Sequence, residues 1–392
     1  MNQTTQPSDN DAADNAGTAR RQFILGTESD DRLAGGLGPD VIAGRGGNDS
    51  IIDTVGENLL YGNEGDDRLI GHGSFTGGPG NDLIRGDGKF RFYLGDGHDT
   101  IGSLGRQEFL TDSGSYFKDH SLNDSVLSFG PGIAPSAIRL ERRGGDLLFT
   151  LDDNNSVTIE NWFADRNCRL GQVVFATGES WNRTTIAGMP VQITGTTGND
   201  TLEGTVKNDV IVGLAGHDFI FAPVGENLIF GGAGNDVIMG QGAIHGGAGD
   251  DNIVARGDSR QNIYYYGRGD GHDTLHITGA ADTSARSGTI AFLDPLQESD
   301  LWFRRQEDDL AVTVVGSTAG ITISNWFLGT GHQVKNFELG NQKTMPADRV
   351  DALVQAMAQC AAPLAADTAL PDSMRQTLAP ILASSWTSTA TT

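Results

Sequence analysis

One nine-residue unit recurs along this chain and limits what it can become. It is a six-residue glycine-rich turn ending in Asp, then three residues with an aliphatic in the middle. From Gly26 the units run GTESDDRLA, GGLGPDVIA, GRGGNDSII, DTVGENLLY, GNEGDDRLI, a shortened GHGSFT, and GGPGNDLIR. From Gly195 they run GTTGNDTLE, GTVKNDVIV, GLAGHDFIF, APVGENLIF, GGAGNDVIM, a shortened GQGAIH, and GGAGDDNIV. Periods this short mark a solenoid, in which each unit is too small to bury a face alone.

The two blocks agree in their irregularities. The VGEN turn and the six-residue unit fall at the same place in both, and so do the flanks. YLGDGHDTI (93–101) answers YYGRGDGHDTL (265–275), and SVTIENWF (156–163) answers GITISNWF (320–327). Low complexity does not duplicate flaws, so the chain is a tandem duplication. Alternating apolar residues after each block predict short antiparallel strands.

The eighth position is aliphatic in every full unit: Leu33, Ile42, Ile51, Leu60, Leu69 and Ile84, then Leu202, Ile211, Ile220, Ile229, Ile238 and Ile253. Phe75 and Ile244 keep that place in the shortened units, so the missing residues come out of the turn. Two units make one coil, and units two apart stack about 4.8 Å from each other. The expected core is a thin double ladder, barely enough to offset backbone ordering.

The turns must supply the rest. Glycines let carbonyl oxygens converge without a Cβ in the way. Asp at position six brings carboxylates to the same spot in successive coils, where they repel unless a cation lies between them. Calcium fits, accepting about six to eight oxygen ligands from carbonyls and carboxylates alike. Magnesium demands stricter octahedral geometry, and turns almost without Cys or His do not suit zinc. The formal charge of −24 adds self-repulsion that cations would relieve, and it argues against nucleic acid or an anionic membrane as partner.

GGAGNDVIM and GGPGNDLIR resemble the RTX, or haemolysin-type calcium-binding, repeat family, whose consensus is GGxGxDxUx. The GDGHDT and NWF segments resemble the related domain that often follows such repeats. The resemblance implies an all-β fold of two parallel β-rolls, each followed by a small antiparallel segment, with a short helical tail. The corresponding segments are a disordered head (1–22), a first roll (23–101) with its related domain (102–190), a second roll (191–278) with its own (279–345), and a tail (346–392).

Carried over position by position, the resemblance makes Asp31, Asp40, Asp49, Asp67, Asp82, Asp200, Asp209, Asp218, Asp236 and Asp251 calcium ligands. Asn58 and Asn227 depart from the pattern. Alternate units stack, so Asp31, Asp49, Asp67 and Asp82 should form a filled column opposite a sparse one of Asp40 and Asn58. Asp200, Asp218, Asp236 and Asp251 should repeat this against Asp209 and Asn227.

Other features are expected to be structural. Asp96, His98 and Asp99 in the first GDGHDT, with Asp270, His272 and Asp273 in the second, read as a terminal calcium turn or a roll-ending cap. Trp162-Phe163 and Trp326-Phe327 read as core anchors. The histidines are scattered with no HExxH and no ligand cluster, and there is no GxSxG elbow or P-loop, so no enzyme is expected. Cys168 and Cys360 are expected to be free thiols. Val350, Leu353, Val354 and Met357 have helical spacing. A second helix around Met374, Leu378 and Ile381 should be bent or interrupted by Pro380. The C-terminus SSWTSTATT reads as frayed.

No apolar run is long enough to span a bilayer, and the polar N-terminus lacks the h-region of a secretory signal peptide. The resemblance implies type I secretion, directed by an uncleaved C-terminal signal, and a bacterial extracellular location. The leading expectation is a secreted calcium-binding protein with a structural or interaction role, favoured because a polar head beginning at Met1 leaves no room for a catalytic domain. The alternatives are a calcium-folding secretion module of a toxin or hydrolase whose active domain is elsewhere, and a glycan-binding adhesin.

Overall fold

The computed structural model describes residues 20–111, 114–256, 262–278, 286–293, 296–364 and 369–388. Most of the expected 1–22 head lies outside them. The chain divides into two compact units between Met189 and Pro190, each holding one repeat block and its flank.

In the first unit the short strands stack in parallel. Arg32–Ala34 pairs with Ser50–Glu64, which pairs with Arg68–Thr76, then Leu83–Phe92 and His98–Gly102. The register places Leu33, Ile51, Leu69, Ile84 and Ile101 in one row. Ile24, Ile42, Leu60, Phe75 and Phe90 form the other. The eighth-position side chains are sealed from water, with Ile42, Ile51, Leu60, Leu69 and Phe75 each at 0% exposure. Phe75 and Phe90 stack at 5.2 Å, filling the row where the coil is shortened. The shortened unit does take its missing residues from the turn, since the pairing jumps between Asp53 and Asn58.

The second unit repeats the plan. Leu202, Ile220, Ile238, Ile253 and Leu275 make one row, and Ile211, Ile229, Ile244 and Tyr264 the other.

The antiparallel strands are present, and parallel pairing joins them to the rolls. Arg139–Arg143, Asp146–Asp152 and Asn155–Ile159 form a meander whose last strand runs parallel to His98–Gly102. Leu301–Gln306, Asp309–Val314 and Gly320–Ile323 do the same against His272–Thr278. The other row also runs on, from Phe90 to Leu127 and Val173, and from Tyr264 to Ile290 and Phe337.

Trp162 and Trp326 are core residues at 5% and 1% exposure. The following Phe163 and Phe327 are each capped by a guanidinium, Arg142 at 4.6 Å and Arg305 at 4.4 Å from the ring centroid. Cys168 and Cys360 are free.

The helix Val350–Met357 buries Val350, Leu353, Val354 and Met357, the face its spacing predicts. Asp372–Ser385 continues through Pro380 rather than stopping there. Leu378 and Leu382 anchor it on either side, while Pro380 and Gln376, whose carbonyl loses its helical donor, face solvent. The end is less frayed than its composition suggests: Trp386 is buried and Thr387–Ser388 pairs with Lys343 and Thr344. Among the described residues no helix is long and apolar enough to cross a membrane.

Candidate metal centre

Each position-six Asp is locked by the fold before any ligand is considered. Its backbone N–H donates to Oδ1 of the corresponding residue one coil on: Asp31 to Asp49 (2.8 Å), Asp49 to Asp67 (2.7 Å), Asp67 to Asp82 (2.8 Å), and Asp40 to Asn58 (2.8 Å). Its carbonyl accepts from that coil too, as Asp49 does from Arg68 N–H and Asp67 from Leu83 N–H, both at 2.8 Å. The second unit matches, with Asp200 to Asp218, Asp218 to Asp236 and Asp236 to Asp251, each at 2.8 Å. The nonapeptide spacing thus fixes one carboxylate oxygen and aims the other.

That other oxygen is the informative atom. Oδ2 of Asp49, Asp67, Asp82, Asp218, Asp236 and Asp251 is buried with no hydrogen-bond partner. It faces the first glycine of its own turn and the first carbonyl of the next coil. A Cβ added to Gly62 would stand 2.0 Å from Asp67 Oδ2 and 2.6 Å from Gly77 O. At Gly231 the same atom would stand 2.3 Å from Gly246 O and 2.4 Å from Asp236 Oδ2. Only glycine leaves this cradle open.

Burial raises these carboxyls, and the neighbouring Asp charges add to it. Asp67 and Asp251 are pushed up to about 7 and Asp82 to about 8. Asp49, Asp218 and Asp236 move the same way for the same first reason. Two carboxylates about 5 Å apart repel by about 3 kcal/mol at an effective dielectric near 20. A naked column is therefore under strain at neutral pH.

The sparse columns show what relieves it. At Asn58 the amide Nδ2 donates to the carbonyls of Asp53 (3.0 Å) and Val55 (3.2 Å), positions one and three of its own turn. Asn227 donates to Ala222 and Val224 in the same way, at 3.0 and 2.9 Å. Where Asp stands instead of Asn, an acceptor takes the place of those donors and needs either a backbone N–H or a cation. Orphaned carboxylate oxygens beside turn carbonyls are an all-oxygen donor set, and they fit calcium.

The predicted ligands divide accordingly. Asp49, Asp67, Asp82, Asp218, Asp236 and Asp251 carry the free oxygen. Asp31 and Asp200, in the first turns, have Oδ2 occupied by Thr27 and Thr196 N–H. Asp40 and Asp209, in the sparse columns, have theirs occupied by Gly36 and Thr205 N–H.

Other residues join the site without having been among the predicted ligands. Asp99 and Asp273 are the next rungs, accepting from Asp82 and Asp251 N–H at 3.1 Å, and burial pushes them up to about 9 and about 8. They lie inside the two GDGHDT segments, which take the place expected of a terminal turn. Asp53, at position one of its unit, turns a buried Oδ2 towards Gly35 and Asp40, and burial followed by Asp40 raises it to about 7. Ala222 stands there in the second unit, so the sparse columns differ between the halves. A second, exposed ladder runs at position five, from Asn48 to Asp30, Asp66 to Asn48 and Asn81 to Asp66.

The histidines are not all scattered, contrary to their distribution in the sequence. His72, Asp87 and His120 gather in the first unit, because the parallel register sets His72 beside Asp87 and strand Gly114–His120 ends with His120 against Asp87.

Gly62→Ala should destabilise the calcium-loaded protein by about 1–3 kcal/mol or more, since its Cβ enters the cradle. Gly269→Ala, with open space and an ordinary backbone, is the control. Thermal unfolding in calcium separates them, and equal melting temperatures would contradict the cradle.

Fold and site together define a parallel β-solenoid whose turns present oxygen donors suited to a hard cation. The comparisons agree: residues 25–52, 44–75, 194–222, 224–242 and 243–259 match the RTX calcium-binding nonapeptide repeat. Residues 146–185 match the haemolysin-type calcium binding protein related domain. The chain carries RTX calcium-binding repeats together with that related domain. It is also similar to the solved structure of the extracellular lipase LipA from Serratia marcescens, at 16% identity and a TM-score of 0.22. That similarity covers 81% of this chain and 40% of the lipase chain, so the chain spans well under two thirds of that structure's length.

Proposed function

We propose that this chain is a secreted protein that stays largely unfolded until it meets extracellular calcium, then sets into two rolls with a structural or interaction role. The observation that carries this is the column of buried, unpartnered Oδ2 atoms from Asp49 to Asp82 and from Asp218 to Asp251. An unpartnered buried acceptor costs about 1–3 kcal/mol, and each unit repeats it several times over a thin core. Binding free energy here is folding free energy.

Calcium is scarce in a bacterial cytosol and plentiful outside, the range suited to weak extracellular sites. Such a chain remains threadable inside and closes once exported. Type I secretion through a C-terminal signal accords with the repeat family. A sugar-binding role finds less support, because Trp162 and Trp326 are buried and offer no exposed ring face.

Circular dichroism during calcium titration of the chelator-treated protein tests the reading. A steep gain of β signal with calcium at about 0.1–1 mM, and none with magnesium, is expected. A chelated protein as ordered and heat-resistant as the loaded one would overturn it.

A further inference from the structure

On the outer face of the first roll, His72 stands between two carboxylates. Its Nε2 lies 2.9 Å from Glu57 Oε1, and its Nδ1 lies 2.7 Å from Asp87 Oδ2. A neutral imidazole has one N–H and can satisfy only one of them. The Nδ1 atom is buried and makes no hydrogen bond despite that distance. With the proton on Nε2 and directed at Glu57, a nitrogen lone pair faces a carboxylate oxygen at contact distance. Either a second proton on the ring or a metal ion bound by both atoms, with the pair drawn slightly apart, removes that mismatch.

The remaining donor is supplied by His120, fully buried, with Nδ1 2.6 Å from Asp87 Oδ1. The three donor atoms lie within 4.8 Å of one another. We propose that His72, Asp87 and His120 form a site for a borderline divalent transition metal of the zinc class, separate from the calcium columns.

Two imidazoles and a carboxylate suit that class, whereas calcium prefers oxygen alone. Ligating histidines almost always hand their other N–H to a carboxylate or carbonyl, and Glu57 is placed to receive it from His72. Binding leaves the His72 proton on Nε2 and frees His120 Nδ1 of the proton it shares with Asp87, which the ring then carries on Nε2. A cavity of about 540 Å³, lined by Glu57, His72, Asp87, Lys89 and Arg91 among others, leaves room for water or a small anion beside the ion. Three protein ligands with such room is the arrangement of an exchangeable zinc site. The second unit does not repeat it: Gln241 occupies the place of His72 and donates instead to Pro223 O at 2.7 Å.

The test uses the full chain saturated with calcium, so that the columns are filled and the rolls closed. Zinc is titrated calorimetrically, and cobalt(II) is followed by its visible bands. One ion per chain is expected, with the strong absorption of four-coordinate cobalt. His72→Gln, borrowed from the second unit, should weaken binding about tenfold or more while leaving the calcium-dependent dichroism unchanged. Asp87→Asn should act likewise. The absence of saturable zinc binding, or equal binding by the wild type and His72→Gln, would overturn the site.

Discussion

Asp67→Asn should stabilise the calcium-free protein and weaken the calcium-loaded one. Substitutions of buried ligands seldom change sign with conditions; this one does because the protein already contains the product. Asn58 and Asn227 close their own turns through Nδ2, donating to the carbonyls at positions one and three. Asp67 Oδ1 already accepts from Asp49 N–H, a role an amide oxygen keeps. The substitution therefore removes a desolvated charge and an orphaned acceptor together, a gain of about 1–3 kcal/mol in chelator. In calcium the same change deletes a ligand, and the titration midpoint should rise several-fold. Asn58→Asp should move both quantities the opposite way. Urea unfolding in chelator, with a stabilising osmolyte to populate the fold, gives the first sign, and dichroism against calcium gives the second. If Asp67→Asn weakens the protein in both conditions, the orphaned oxygen is not the site of strain.

How much of this was legible in sequence depends on whether the period survived. The core rows and Asp columns followed from the nonapeptide because each side chain's place is set by its position in the unit. Legibility failed where the period was disguised. Asp99 and Asp273 sit in units that keep the GHDT stretch but open on Leu94 and Arg268 instead of Gly, so the sequence marks them as a terminal calcium turn or a cap without counting them among the column's ligands. Asp53 escaped because it replaces a glycine at position one rather than occupying position six. The long continuation from Phe90 through Leu127 to Val173 has no fixed spacing at all, since the intervening strands and loops differ in length.

The division of the position-six Asp residues into those with a free oxygen and those without was half visible. The columns could be assigned, yet Thr27, Gly36, Thr196 and Thr205 N–H occupy Oδ2 through backbone geometry that no residue type announces. The gathering of His72, Asp87 and His120 was invisible for a related reason. It depends on one cross-coil register and one returning strand, neither of which leaves a motif.

Acid should order the calcium-free protein, and alkali should order the loaded one. A carboxyl with a raised folded-state pKa binds more protons folded than unfolded. Its contribution is complete below the unfolded value near 4 and is lost as pH rises through the folded value. Asp67 and Asp251 lose theirs through about 7, Asp82 and Asp273 through about 8, and Asp99 through about 9. In chelator, β signal and melting temperature should therefore climb as pH falls from 9 towards about 5.5, still above the sequence pI near 4.5 where solubility is poorest. Calcium reverses the slope because it needs the same oxygens deprotonated, so binding at pH 7 should release protons and tighten as pH rises. Calorimetry in two buffers of different ionisation enthalpy counts those protons, and melts across the pH range give both slopes. Asp82→Asn should flatten each of them, since it removes a group that titrates between the two states. Parallel slopes with and without calcium would mean that protons and the metal are not competing for the column.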